Sequence, residues 1–213
     1  MPRRADGLET KQKILEAAAE LFASSGFKQT TNAEISQRSG VNSALISYYF
    51  GDKENIYREA WRLSSELASG KYPLLDADLP PLSTIERLRN IIVAAICHAL
   101  DDRCWDNGIM QQEIASKTNL LDDVHNKTVF HLRETLIPVV SELLAEANSE
   151  ENVRQTTLSI VALCIVPVQK IQNIEQTNPY NYDIEQRIDH VVEFVIAGIE
   201  AIKKIYEKNH HSN

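Results

Sequence analysis

The side chains best placed to do chemistry in this 213-residue chain crowd into one short stretch. They are the hydroxyls of Thr31, Ser43 and Ser47, the phenols of Tyr48 and Tyr49, and the ammonium of Lys53, with Asn42 and Ala44 among them. Small or polar groups at helical spacing suit a helix that slides into a nucleic-acid groove about 12 Å wide and hydrogen-bonds there. The stretch, TTNAEISQRSGVNSALISYYFGDKENIY from Thr30 to Tyr57, reads as two short helices joined by a glycine turn, with a third docked behind. Thr31 and Glu34 make a capping box just ahead of Ile35. Gly40 takes the left-handed conformation cheaply and turns the chain, and Val41 plugs the angle between the helices. Asn42 or Ser43 caps the second helix. Leu45, Ile46, Tyr49 and Phe50 are expected to supply most of its buried side, which leaves Ser43, Ala44, Ser47 and Tyr48 for the groove.

Other chemistries fit poorly. His125 and His131 are six apart on a predicted helix and point to different faces, and Cys97-His98 with Cys104 lacks zinc-ligand spacing, so no metal is expected. Cys97 and Cys104, seven apart, share a face only if their helix continues; buried unreactive thiols are the plainer reading. There is no GxSxG elbow, no phosphate-binding glycine loop and no HExxH, so the chain reads as no enzyme and needs no cofactor. Three cysteines without a CxxC pair, no apolar run long enough to span a membrane and no signal-peptide core together predict a cytoplasmic protein. With 43% apolar residues, the chain can bury a sizeable core in one or two domains. The net charge is −8, yet residues 1–60 carry eight basic and eight acidic side chains, so all the excess acid lies beyond them. Arg3 and Arg4 form a short basic arm. Binding to phosphates should be only moderately salt-dependent, and an acidic body repels DNA at large.

Gly26-Phe27, Thr30-Thr31, Ile35, Gly40-Val41, Tyr49-Phe50 and Lys53-Glu54 resemble, in order and spacing, the N-terminal pattern of TetR-family transcriptional regulators. ISYYFGDKENIY looks most like the branch with INYHFGSKEGLY-type helices, several members of which control drug-efflux or transport genes. The resemblance covers roughly the first 60 residues. The resemblance implies a phosphate contact from Lys53. Thr31 is expected to give a hydroxyl or its helix N-terminus to phosphate, or to serve only as a structural cap; Tyr48 and Tyr49 can each donate a phenol to phosphate, with Tyr48 expected to be the exposed one and the other packed on the first helix. The sequence departs from the pattern in having Leu45 where threonine is common, Ser47 where tyrosine is common and Ala33 for a frequent arginine. Losing arginine removes the commonest guanine reader, so readout shifts toward thymine methyls, water and DNA shape.

The elements that must position these residues read as helices throughout, about nine in an all-α fold. A three-helix DNA-binding head spans residues 1–52, and a larger ligand-binding and dimerisation domain spans 53–213, with 53–70 as connecting helix. The first helix runs from about Leu8 to Ser24 and stops at Gly26. Tyr72 to Pro81, with three prolines, reads as a linker. Ser83 and Glu86 form a second capping box and open a helix to about Leu100. Helices follow over Trp105 to Ser116, Leu120 to Ala147 with a kink expected at Pro138, and Ser149 to Asn173. The last is capped by Asp183 with Gln186 and runs to about Glu207.

Ile188, Val191, Val192, Val195, Ile199 and Ile202 make a long stripe that one protomer is not expected to cover. With Leu158, Val161 and Ile165 they suggest a symmetric four-helix homodimer interface, as the resemblance also implies. Trp105, Met110, Gln111, Phe130, His131 and Gln169 mix apolar surface with polar handles and are the candidates for a small-effector pocket. The expected function is a dimeric, ligand-responsive regulator that represses from a palindromic double-stranded operator, with transport or efflux genes as targets. The alternatives are a protein-binding module on the same scaffold and a helical enzyme.

Overall fold

The computed structural model describes residues 4–74, 82–101, 103–165 and 183–210, without the side chains of 4–6, 123–131 and 165. Among the described residues there are nine α-helices, one 3-10 turn and no strand. The helices are α1 (Arg4–Gln29), α2 (Asn32–Ser39), α3 (Ser43–Phe50), α4 (Lys53–Lys71), α5 (Thr84–Leu100), α6 (Trp105–Ala115), α7 (Asp122–Leu144), α8 (Glu150–Ile165) and α9 (Ile184–His210); the 3-10 turn, Ala145–Ala147, follows α7. None is long and apolar enough to cross a membrane. Arg3, the side chain of Arg4 and most of the Tyr72 to Pro81 linker lie outside what is described.

The chain forms two compact units, residues 1–71 with 101–128, and residues 72–100 with 129–213. This partition differs from the expected boundary at residue 52: α4, and with it α6, belongs to the N-terminal unit. The reason is long-range packing. Gly108 in α6 lies so close to α1 that a Cβ there would stand 2.7 Å from that of Ala23. Tyr57 of α4 donates a hydrogen bond of 3.0 Å to the buried carboxylate of Glu113 in α6, which also accepts from the backbone N–H of Thr118 (2.7 Å) and of Asn119 (3.1 Å). Burial, reinforced by that carboxylate, pushes the Tyr57 phenol far above its ordinary pKa, so it stays a donor.

The core of the first unit is built on Ile14, Ala18, Phe22, Ile35, Ile46, Tyr57 and Trp61. Tyr57 meets Phe22 edge-on at 4.8 Å between ring centroids and Phe27 at 5.1 Å, the offset and tilted geometries that aromatic quadrupoles favour. Gly26 breaks α1 with φ 79° and turns Phe27 back onto this cluster. The core of the second unit combines Leu88, Ile91, Ile92, Leu136, Val140, Ile160 and the α9 stripe. Ile188, Val191, Val192, Val195 and Ile199 are buried there and Ile202 is partly buried. The expectation that one protomer would leave this stripe open is therefore corrected, because α5, α7 and α8 supply the opposing apolar faces. Ser83 and Glu86 form the expected capping box, and the Asp183 carboxylate accepts from the Glu185 and Gln186 N–H groups.

Helix propensity alone makes Gly108→Ala stabilising by up to ~1 kcal/mol, whereas overpacking against α1 costs about 1–3 kcal/mol. We expect the variant to be less stable in urea unfolding; an unchanged or raised midpoint contradicts the close approach.

Candidate nucleic-acid interface

The turn between α2 and α3 is locked from both sides. Thr31 adopts extended backbone, its hydroxyl accepts from the Glu34 N–H at 3.2 Å, and the Glu34 carboxylate accepts from the Thr31 N–H at 2.7 Å. The Thr31 hydroxyl in turn donates to Glu34 at 2.8 Å, which holds that carboxyl below its usual pKa. In this arrangement the Thr31 hydroxyl hydrogen is committed, and a carboxylate already occupies the positive end of α2. Gly40 caps α2 at φ 69°, left-handed as the sequence requires. Ser36 donates to the Val41 carbonyl at 2.7 Å and Arg38 pairs with Glu20 of α1, so α2 is tied to both its neighbours.

Asn42 is the N-cap of α3, its side-chain oxygen accepting from the Ala44 N–H at 2.8 Å. Ile46 and Phe50 face the core, and Ser43, Ala44, Leu45, Ser47 and Tyr48 face outward. Leu45 departs from expectation: it is 38% exposed rather than on the buried side. Its place on the helix explains this, because Ile46 and Phe50, four apart, take the inward direction and turn Leu45 toward Tyr48, which is 79% exposed. Tyr49 is half-buried against α1, where the Lys11 ammonium lies 5.4 Å from its ring centre and a Cβ on Gly7 would stand 3.5 Å from its hydroxyl. The eight residues of α3 carry no charge.

Lys53 has a role that sequence reasoning missed. Its ammonium donates to the carbonyls of Phe27 (2.9 Å) and Thr30 (3.0 Å) and stands 4.3 Å from the centre of the Phe27 ring. Two of its three N–H donors thus close the carbonyl end of α1.

The expected effector residues do not form one site among the described residues. Trp105 and Met110 pack against the core of the first unit, Gln111 is half-exposed on the same helix, and Gln169 with the side chains of Phe130 and His131 lies outside what is described. In the second unit an open cleft of about 700 Å3 lies between the 3-10 turn and the end of α9, lined by Leu144, Ala147, Lys203, Lys204, Tyr206 and Lys208 among others. Of the remaining expected interface residues, Leu158 is exposed, Val161 is half-exposed, and the Ile165 side chain is not described. α5 ends at Leu100, so Cys97 and Cys104 do not share a helical face. Burial raises the Cys97 thiol, and burial with Asp106 and Asp101 pushes Cys104 up to about 12, so neither is a ready thiolate.

Residues 14–60 match the family model of bacterial regulatory proteins of the tetR family. Residues 84–199, more than half of the chain, match the C-terminal domain of the HTH-type transcriptional dual regulator CecR. The chain belongs to the TetR family of regulators. This TetR-family member is 39% identical over 56 residues to the HTH-type transcriptional regulator AcrR of Shigella flexneri, a match covering 26% of each sequence. It is 29% identical over 111 residues to the HTH-type transcriptional repressor KstR2 of Mycolicibacterium smegmatis, covering 52% of each. The chain therefore spans about a quarter to a half of the length of these curated relatives. Its fold is that of a TetR-like transcriptional regulator from Rhodococcus sp. RHA1, at a TM-score of 0.67 and 18% identity over 94% of this chain and 98% of the other.

Two predictions follow from the geometry of this TetR-type head. Lys53→Met deletes both carbonyl contacts and should destabilise the unit by about 1–3 kcal/mol, while Tyr48→Ala leaves stability unchanged; equal unfolding midpoints for Lys53→Met and the parent protein would remove the role assigned to Lys53. The folded-state pKa of Glu34 is lowered, first by the Thr31 hydroxyl and then by its backbone N–H. The carboxylate's contribution is thus present above the unfolded carboxyl value of about 4.3 and is lost as pH falls through the lower folded value. The stability gap between the parent protein and Glu34→Gln should narrow on acidification, and a gap that widens would contradict the box.

Proposed function

We propose that the protein is a homodimeric transcriptional repressor that reads a palindromic operator with two copies of α3 and is released by a small effector. The observation that carries this reading is the outward face of α3, a capped, uncharged helix of hydroxyl and small side chains beside an exposed phenol. Such a face admits close approach to base edges without repelling phosphates. One short helix spans only a few base pairs, so a twofold pair of heads is needed for selectivity.

The partner surface lies on the outer side of α8 and α9. Phe194 is 61% exposed, and Gly198, Ala201 and Ile205 continue its stripe at spacings of three and four, with Leu158 and Ala162 exposed on α8. A Cβ on Gly198 would meet nothing within 4 Å, which leaves room for a partner helix. This stripe is distinct from the one buried in the protomer. It supports the last two helices as the dimer face, with Leu158 central and Val161 at the edge.

Release by an effector bound in the second unit requires the ligand to favour a head spacing that mismatches successive major grooves about 34 Å apart. A hundredfold fall in operator occupancy needs a preference of about 2.7 kcal/mol for the released state. The resemblance of the recognition segment to efflux-regulating members supports transport or efflux genes as targets.

Selection of genomic fragments by the purified protein should recover one palindrome, and Tyr48→Ala should lose it while remaining folded. Recovery of unselected DNA, or none, would favour a protein-binding role for the scaffold. Phe194→Glu should halve the mass measured by sedimentation and abolish palindrome binding, whereas an unchanged mass would move the interface elsewhere.

A further inference from the structure

The recognition helix lacks every side chain that reads a purine by paired hydrogen bonds: SALISYYF contains no arginine, lysine, asparagine or glutamine. The adjoining amide, Asn42, spends its side-chain oxygen on the cap of α3, and the guanidinium of Arg38 is held by Glu20. What α3 presents is a contiguous apolar patch. Leu45 and Tyr48 are three apart, Ala44 and Tyr48 are four apart, all three are exposed, and Ser43 and Ser47 flank them. A single exposed leucine on a helix is ordinary. A leucine and an alanine beside a projecting tyrosine, on a face with no charge, form a surface whose complement in the major groove is the thymine 5-methyl group, the apolar mark that a base pair shows there.

We infer that Leu45 is a specificity-determining residue that selects thymine in each half-site by contact with its 5-methyl group, with Ala44 and Tyr48 forming the rest of the apolar contact. The inference rests on the operator-binding function proposed above and names the base chemistry which that site recognises. The hydroxyls of Ser43 and Ser47 accept or donate to any base edge, and so they add affinity with little choice between bases. Discrimination then falls to the methyl groups, which only thymine carries among the four bases. The preferred half-site contains thymine opposite Leu45, and guanine-reading contacts are missing from α3.

The test uses the full-length protein and the palindrome it selects, synthesised with uracil replacing thymine at one symmetric pair of positions at a time. Uracil pairs as thymine does and lacks only the methyl. For the parent protein, one position per half-site should weaken binding roughly fourfold per methyl contact, the loss expected for one buried carbon. Leu45→Ala, an exposed substitution whose folding is checked by circular dichroism, should bind the thymine operator more weakly and be indifferent to uracil at that position. Loss of the methyl effect in Leu45→Ala with its retention in Ser47→Ala supports the assignment. Indifference of the parent protein to uracil at every position, or an equal uracil loss in Leu45→Ala, overturns it while leaving operator binding intact. Failure to select any palindrome overturns both the assignment and the function on which it rests.

Discussion

The ammonium of Lys53 sits on the last carbonyls of the first helix, with the ring of Phe27 beneath it, and the geometry of the reading head depends on that contact. Past the kink at Gly26, the carbonyls of Phe27 and Thr30 lie at the end of α1. The cation that satisfies them is the first residue of α4, so one contact sets the start of α4 against the end of α1. Tyr57, one turn further along α4, then packs edge-on to Phe22 and tilted against Phe27 and reaches Glu113 on α6. With those helices placed, Ile46 and Phe50 have one inward pocket to enter, and the opposite side of α3 is left to solvent.

Two kinds of fastening meet in this unit. Local caps fix where α2 and α3 begin: the box at Thr31 and Glu34, the left-handed Gly40 and the Asn42 cap. Long-range packing fixes where they point. A cap is worth about 1 kcal/mol, whereas each fully buried isoleucine or phenylalanine contributes about 1.5–3 kcal/mol, so the core of Phe22, Ile35, Ile46 and Tyr57 dominates the stability of the arrangement. The caps supply definition instead: they hold a helix of eight residues, too short to persist alone, in one register.

Features that depend on near neighbours were legible in the sequence. Both capping boxes, the Gly40 turn and the stop at Gly26 follow from residues a few positions apart. Features set by distant partners were not. Nothing near Lys53 announces that its ammonium is taken up by carbonyls from α1, and nothing in Trp105 or Met110 shows that α6 packs with the head. The α9 stripe of Ile188, Val191 and Val195 has the pattern of an interface and of a protomer core alike; only the opposing faces of α5, α7 and α8 decide between them. Leu45 was misassigned because an apolar residue on a short helix points inward by default, and the two inward positions were already filled by Ile46 and Phe50.

The central claim is that the outward face of α3 lies against the bases of a DNA major groove. Its most direct test is photocrosslinking of the protein to operator DNA carrying 5-iodouracil in place of thymine, with the attached peptide sequenced by mass spectrometry. The account predicts crosslinks confined to residues 43–48, Tyr48 foremost, at symmetric positions in the two half-sites. Crosslinks that fall only on other elements, with α3 untouched while the DNA is bound, would contradict it.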